Sequence, residues 1–135
     1  MTTESFKTVA KQTYDNLVIE PQRQSDVKGI TIVAGQGELK RGAIMAENSD
    51  GKFVILGTTT TIEGEGDAED TVIKHEADCI LAQDVDATTE TTAVAYSEGK
   101  FNEDALSVKK GYTLAKEDIA TLRGKNITLG KMLDV

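Results

Sequence analysis

The stretch that most constrains this chain is Ala77-Asp78-Cys79-Ile80-Leu81-Ala82-Gln83-Asp84-Val85-Asp86-Ala87. It is apolar in the middle, punctuated by acids at its end and too short for a typical helix. The β-prone run Thr88 to Tyr96 follows at once. Such a pattern predicts a buried strand running into a turn, and with it a β-rich domain.

The 135 residues suit one domain, and a domain of that size buries roughly two-thirds of the surface its unfolded chain exposes. Aromatic residues make up only 4% and tryptophan is absent. The core is therefore expected to be aliphatic, and ring platforms for stacking bases or sugars are not expected. A net charge of −8 repels phosphate backbones and anionic headgroups, so neither nucleic acid nor a membrane is an expected partner. The start, Met1 to Ser5, has no basic region leading into an apolar one, and no apolar run approaches the ~18 residues of a membrane span. The expectation is synthesis in a cytoplasm. The single cysteine, Cys79, offers no internal disulfide and, beside Ile80 and Leu81, should pack as a small hydrophobe rather than act as a nucleophile.

Residues 1–26 are rich in Thr, Lys and Gln, contain the only proline (Pro21) and scatter their apolar residues too thinly to bury themselves. Two readings fit: a terminal tail, or an arm in which Tyr14-Asp15-Asn16-Leu17-Val18-Ile19 is a strand seeking a sheet edge on another chain. Residues 27–135 then form the folded domain.

Within that domain, Ile30, Ile32 and Ala34 alternate along Lys28 to Ala34, and Gly35-Gln36-Gly37 supplies permissive backbone for a reversal. A hairpin with Glu38 to Ala46 is expected. Asn48-Ser49-Asp50-Gly51 gives the next turn and Lys52 to Leu56 a third strand. The spacing Gly35-x-Gly37 begins like a dinucleotide fingerprint, but Lys40 stands where the third glycine belongs and no helix pattern follows. Lys40-Arg41 reads as a solvated basic pair, or as one that meets an acidic partner.

The polar run from Gly57 to Glu76, with Glu63-Gly64-Glu65-Gly66-Asp67-Ala68-Glu69-Asp70 at its centre, should be an exposed loop. Its acids do not follow calcium-loop spacing. His75 lacks a second histidine or a paired cysteine for zinc. Asp84 and Asp86 share a face of an extended segment, but no Ser, His or Lys is placed to join them in acid–base work, so they are expected to serve turns and caps. No catalytic, cofactor-binding or metal-binding residues are assigned.

Toward the end, Ser97-Glu98-Gly99 turns into a strand at Lys100-Phe101-Asn102. Ala115 to Arg123 is the best helix, with Ala115, Ile119 and Leu122 on one face, acids in its first turn and Gly124 as its stop. Ile127 and Leu129 mark a last strand.

Three blocks in succession, Ala34-Gly35-Gln36-Gly37-Glu38-Leu39-Lys40-Arg41-Gly42, Ile80 to Ala87, and Ala93-Val94-Ala95-Tyr96-Ser97-Glu98-Gly99-Lys100-Phe101-Asn102, resemble the lambda-type bacteriophage head decoration protein family. The likeness spans roughly Ile30 to Leu129, and the Gly57 to Glu76 run departs from shorter members. The resemblance implies a mainly β fold with one short C-terminal helix: a compact β-clip or β-tulip-like domain with an extended N-terminal arm. It also implies a homotrimer on the outer surface of the virion head, cementing the expanded shell against internal DNA pressure. The arm would order against the major capsid protein, which makes Tyr14, Asn16, Leu17, Val18 and Ile19 the expected capsid-binding residues. Weighed beside this are another virion module, such as a tail tube or head fibre, an adhesion domain, and a β-clip nucleotide hydrolase, for which the phosphate-binding loop is missing.

Overall fold

A computed structural model of the chain describes residues 17–19 and 26–131. The elements are β1 (Val27–Ile32), β2 (Gly37–Leu39), β3 (Ile44–Glu47), β4 (Phe53–Ile55), β5 (Thr59–Ile62), β6 (Thr71–Lys74), β7 (Glu76–Leu81), β8 (Val85–Ala87), β9 (Thr91–Tyr96), β10 (Gly99–Asn102), a 3₁₀ turn (Glu103–Ala105), α1 (Lys116–Gly124) and β11 (Ile127–Gly130). The expected class, mainly β with one short helix late in the chain, is what forms. Strands β1, β4, β3, β7 and β9 close into a barrel, flanked by three two-stranded pairs: β2 with β8, β5 with β6, and β10 with β11.

The constraining stretch becomes β7, and it lacks alternation for a physical reason. A strand covered on both faces gains from apolar residues at every position. Cys79 and Leu81 point into the barrel with Ile30, Ile32, Met45, Phe53, Ala93 and Ala95. Ile80 and Ala77 belong to a second core, shared with Ile44, Val54, Leu56, Phe101, Leu122 and Ile127, between the barrel wall and the layer of α1, β10 and β11. β3 is split the same way, with Met45 inside and Ile44 and Ala46 outside. A register shift between Met45 and Ala46 accommodates its pairing with β7.

The turn at Asn48 to Gly51 forms as expected. Asn48 Oδ1 accepts N–H bonds from Asp50 (2.9 Å) and Lys52 (3.0 Å), Gly51 takes φ +76°, and β3 and β4 pair Met45 with Ile55. The hairpin expected between Lys28–Ala34 and Glu38–Ala46 does not form. β1 instead pairs antiparallel with β9, from Val27 opposite Tyr96 to Ile32 opposite Thr91, and parallel with β4, while β2 crosses to β8. Closing the barrel pairs β1 with β9 along its whole length and with β4 at Ile32, opposite Phe53, so its end is held on both edges.

Most of the polar run 57–76 is exposed as expected, though His75 is buried, and its flanks are ordered strands. β5 and β6 pair from Thr59 opposite Lys74 to Ile62 opposite Thr71. Seven threonines, isoleucines and valines in cross-strand register supply the β-branched contacts that stabilise such a pair. At the end of α1, Gly124 is still helical, and Asn126 takes the left-handed conformation (φ 65°) that the sequence pattern assigns to glycine.

Candidate functional site

The N-terminal strand residues are the place to begin, because the expected binding segment meets the folded domain there. Tyr14 and Asn16 lie outside the described residues. Leu17, Val18 and Ile19 do not wait for another chain's sheet: they add antiparallel to β10 of their own subunit. Val18 bridges to Phe101, Ile19 N–H donates to Lys100 O (2.9 Å) and Asn102 N–H donates to Leu17 O (2.8 Å). The expectation that these three are unpartnered is therefore corrected. The driving force is Leu17, which is only 1% exposed and sits in the second core. The wall beside it is tight: a Cβ on Gly42 would stand 2.5 Å from Ala105 O and 3.4 Å from Leu17 Cδ1. Ile19 reaches toward Gly130 of β11. Residues 1–16 thus join the domain at a fixed anchor.

The buried carboxylates and cations are committed to structure. Asp78, at the barrel wall, receives Lys28 Nζ at 2.5 Å and Lys125 Nζ at 3.1 Å. Burial pushes its carboxyl up, but the two lysines outweigh that and hold it below the usual range. Asp118, 4% exposed in α1, accepts the Tyr112 hydroxyl, the Ala115 N–H (3.0 Å) and Lys74 Nζ (3.2 Å). Here too burial acts upward, and the three donors together bring the carboxyl below its ordinary value. The Tyr112 hydroxyl and the Asp118 carboxylate in turn raise the Lys74 ammonium above its ordinary range against the effect of burial, and that ammonium stands 4.8 Å from the Tyr112 ring centre. This cluster ties the foot of β6 to α1. His75 packs beside it, its Nε2 2.7 Å from Thr60 Oγ1.

The remaining residues singled out by sequence have similar duties. Arg41 is held internally rather than solvated: its guanidinium donates to Ala82 O (2.9 Å) and Tyr96 Oη (2.7 Å), and its N–H donates to Asp84. Asp86 Oδ1 accepts both the N–H and the hydroxyl of Thr88. Asp84 and Asp86 therefore serve the backbone around β8. Burial drives the Cys79 thiol upward, and the side chain is fully enclosed. Gly35 and Gly37 (φ +87° and +71°) turn the chain from β1 into β2. The roles of Asp78, Asp118 and Arg41 escaped sequence reasoning because their partners lie far along the chain or in another element; for Asp118 an acid at the third helical position after a non-capping Ala115 was the one available signal.

Among the described residues no group of three or more His, Cys, Asp and Glu is placed to hold a metal, and no helix is long and apolar enough to cross a membrane. A barrel closed on aliphatic side chains, with its buried charges spent on holding elements together and an N-terminal segment anchored at one sheet, is the build of a structural module. Residues 6–128 match the family described as bacteriophage lambda head decoration protein D, and the chain belongs to that family. Comparison with curated proteins returned no match. Membership makes the chain a structural protein of the phage head, associated with the capsid.

Proposed function

We propose that this protein cements the expanded phage head, binding as a homotrimer to the major capsid protein from the outer surface through its N-terminal residues. The family match supports decoration, and the single observation that carries the rest is the anchoring of Leu17–Ile19 on β10. Leu17 is spent on the core, so capsid contact falls to residues 1–16, with Tyr14 and Asn16 nearest the anchor and Val18 and Ile19 fixing their point of departure. A segment launched from a rigid edge has a smaller volume to search than one on a free tether.

A ligand that binds only the expanded lattice stabilises it by RT ln(1 + [L]/Kd), about 2.7 kcal/mol per site at a hundredfold excess over Kd. Three linked segments raise avidity by roughly 10²–10⁴ over one. The test is co-sedimentation of the full chain and of a chain lacking residues 1–16 with expanded and unexpanded empty heads. Binding of the full chain to expanded heads alone, lost on truncation, is the expected result. Undiminished binding of the truncated chain would remove the N-terminal segment from the mechanism.

A further inference from the structure

Beyond its foot, where Lys74 meets Asp118 and Thr60 meets His75, the β5–β6 hairpin packs on nothing in its own subunit among the described residues. Every residue of both strands is exposed, and isolated two-stranded hairpins are marginal in water. Of the five large hydrophobic side chains exposed among the described residues, three are here: Ile62 at 53%, Val72 at 62% and Ile73 at 39%. The register places Val72 opposite Thr61 and Ile73 opposite Thr60, so Ile73 and Val72 lie on opposite faces. One face carries Ile62 and Ile73 and the other carries Val72 among Thr59, Thr61 and Lys74, so each face exposes apolar surface.

The tip is built rather than loose. Gly64 N–H donates to Asp70 Oδ1 (3.0 Å) and Ala68 N–H to Glu65 O (3.1 Å). A Cβ on Gly64 would stand 2.2 Å from Ala68 O. This ordered turn carries Glu63, Glu65, Asp67, Glu69 and Asp70 with no basic residue between them, and none of the five has an ion-pair partner among the described residues.

The complementary charges sit at the other end of the hairpin. Lys109, Lys110 and Lys116 are exposed and likewise have no ion-pair partner among the described residues. Their segment is pinned to the hairpin's foot: Lys109 N–H donates to Leu56 O (2.8 Å), a Cβ on Gly57 would stand 2.6 Å from Tyr112 Cβ, and Asp118 holds Lys74. Four-residue strands put the tip about 10 Å or more from that foot. None of these lysines pairs with the acidic tip of its own subunit among the described residues.

We propose that the β5–β6 hairpin is a subunit clasp, whose acidic tip and apolar faces dock on the Lys109–Lys110–Lys116 foot of a second copy of this chain. Two different, mutually complementary patches on one chain make a head-to-tail contact, which closes into a ring. The clasp deepens the trimer reading above and rests on it for the ring's closure, but it is tested without heads.

The experiment mixes isotopically light and heavy full-length protein, applies a zero-length carbodiimide cross-linker and maps the products by mass spectrometry. Mixed light–heavy links from Glu63, Glu65, Asp67, Glu69 or Asp70 to Lys109, Lys110 or Lys116 are expected. In sedimentation equilibrium, a chain with Glu63→Lys, Glu65→Lys and Glu69→Lys, and one with Lys109→Glu, Lys110→Glu and Lys116→Glu, should each weaken assembly by about tenfold or more, since like charges are then opposed. The chain carrying all six changes should recover. Links confined to single copies, or reversed chains that assemble like the wild type, would overturn the clasp. Reversed chains that assemble normally but no longer sediment with heads would overturn it too, assigning the hairpin to the capsid. Failure of the wild type to bind heads would sink the decoration reading while leaving the clasp to its own result.

Discussion

Val18 stands opposite Phe101 in an antiparallel bridge, so the N-terminal segment docks along the free edge of β10 in the β10–β11 sheet. Leu17, next to that bridge, is sealed among Ile44, Leu56, Phe101 and Leu122. Leu17→Ala should therefore destabilise the domain by about 2–5 kcal/mol, as large-to-small changes in a close-packed core do. Removing residues 1–16 spares that contact, whereas removing 1–20 takes it away. Urea unfolding should show a midpoint near wild type for the shorter truncation and a strongly reduced one for both the longer truncation and Leu17→Ala. Equal midpoints for all three would mean that the anchor contributes nothing.

Asp118 joins three partners that no other residue can serve together: Ala115 N–H at the start of α1, the Tyr112 hydroxyl and Lys74 at the hairpin's foot. Asp118→Ala leaves the Tyr112 hydroxyl and a helix N–H without their acceptor, at a cost of about 1–3 kcal/mol. Tyr112→Phe removes one of the three bonds and should cost about 1 kcal/mol. Chemical denaturation measures both. Because Lys74 ties β6 to α1, hydrogen exchange in residues 71–76 should quicken more in Asp118→Ala than in Tyr112→Phe.

These elements divide by how local their causes are. The Asn48–Gly51 turn, α1 and the Ile127 strand were legible because a cap, a turn residue or a period within a few positions decides each. The pairing of β1 was not, since its partners on β9 lie 59 to 69 residues further on and only barrel closure selects them. The Leu17 anchor was hidden for the same reason: one leucine in a polar segment carries no period, and the core it joins is made of residues from β3, β4, β7, β10, α1 and β11. In the Gly57 to Glu76 run, exposure could be read from the acids and glycines, but pairing could not, because Thr59–Ile62 and Thr71–Lys74 find each other across a polar tip. That Leu17, Val18 and Ile19 take extended backbone could be read from the sequence, but their partner on β10 of the same subunit could not.

Cys79 offers a clock for global unfolding. It lies on β7 inside the barrel, fully enclosed, with a thiol that burial pushes up. A thiol of that kind is inert until its surroundings open. Labelling with an aromatic disulfide reagent should be undetectable in the native protein and should accelerate with urea in step with unfolding followed by circular dichroism. Prompt labelling in buffer would show that the barrel opens locally at β7.

The two buried carboxyls give stability a defined dependence on pH. Asp78 and Asp118 both hold their protons less tightly folded than unfolded, despite burial, because Lys28 and Lys125 serve the first, and Tyr112, Ala115 N–H and Lys74 the second. The unfolded chain therefore binds more protons than the native one through the carboxylate range, so stability rises with pH there. The contribution is fully present above the unfolded aspartate value near ~3.9 and is lost as pH falls through the lower folded values. Urea midpoints should be level between about pH 6 and 7 and decline below about pH 5. Asp78→Asn, which no longer titrates, should start from a lower plateau and decline less steeply, because Asp118 alone then supplies the buried linkage. A variant profile parallel to the wild type would show that the Lys28–Asp78–Lys125 cluster carries no differential proton binding.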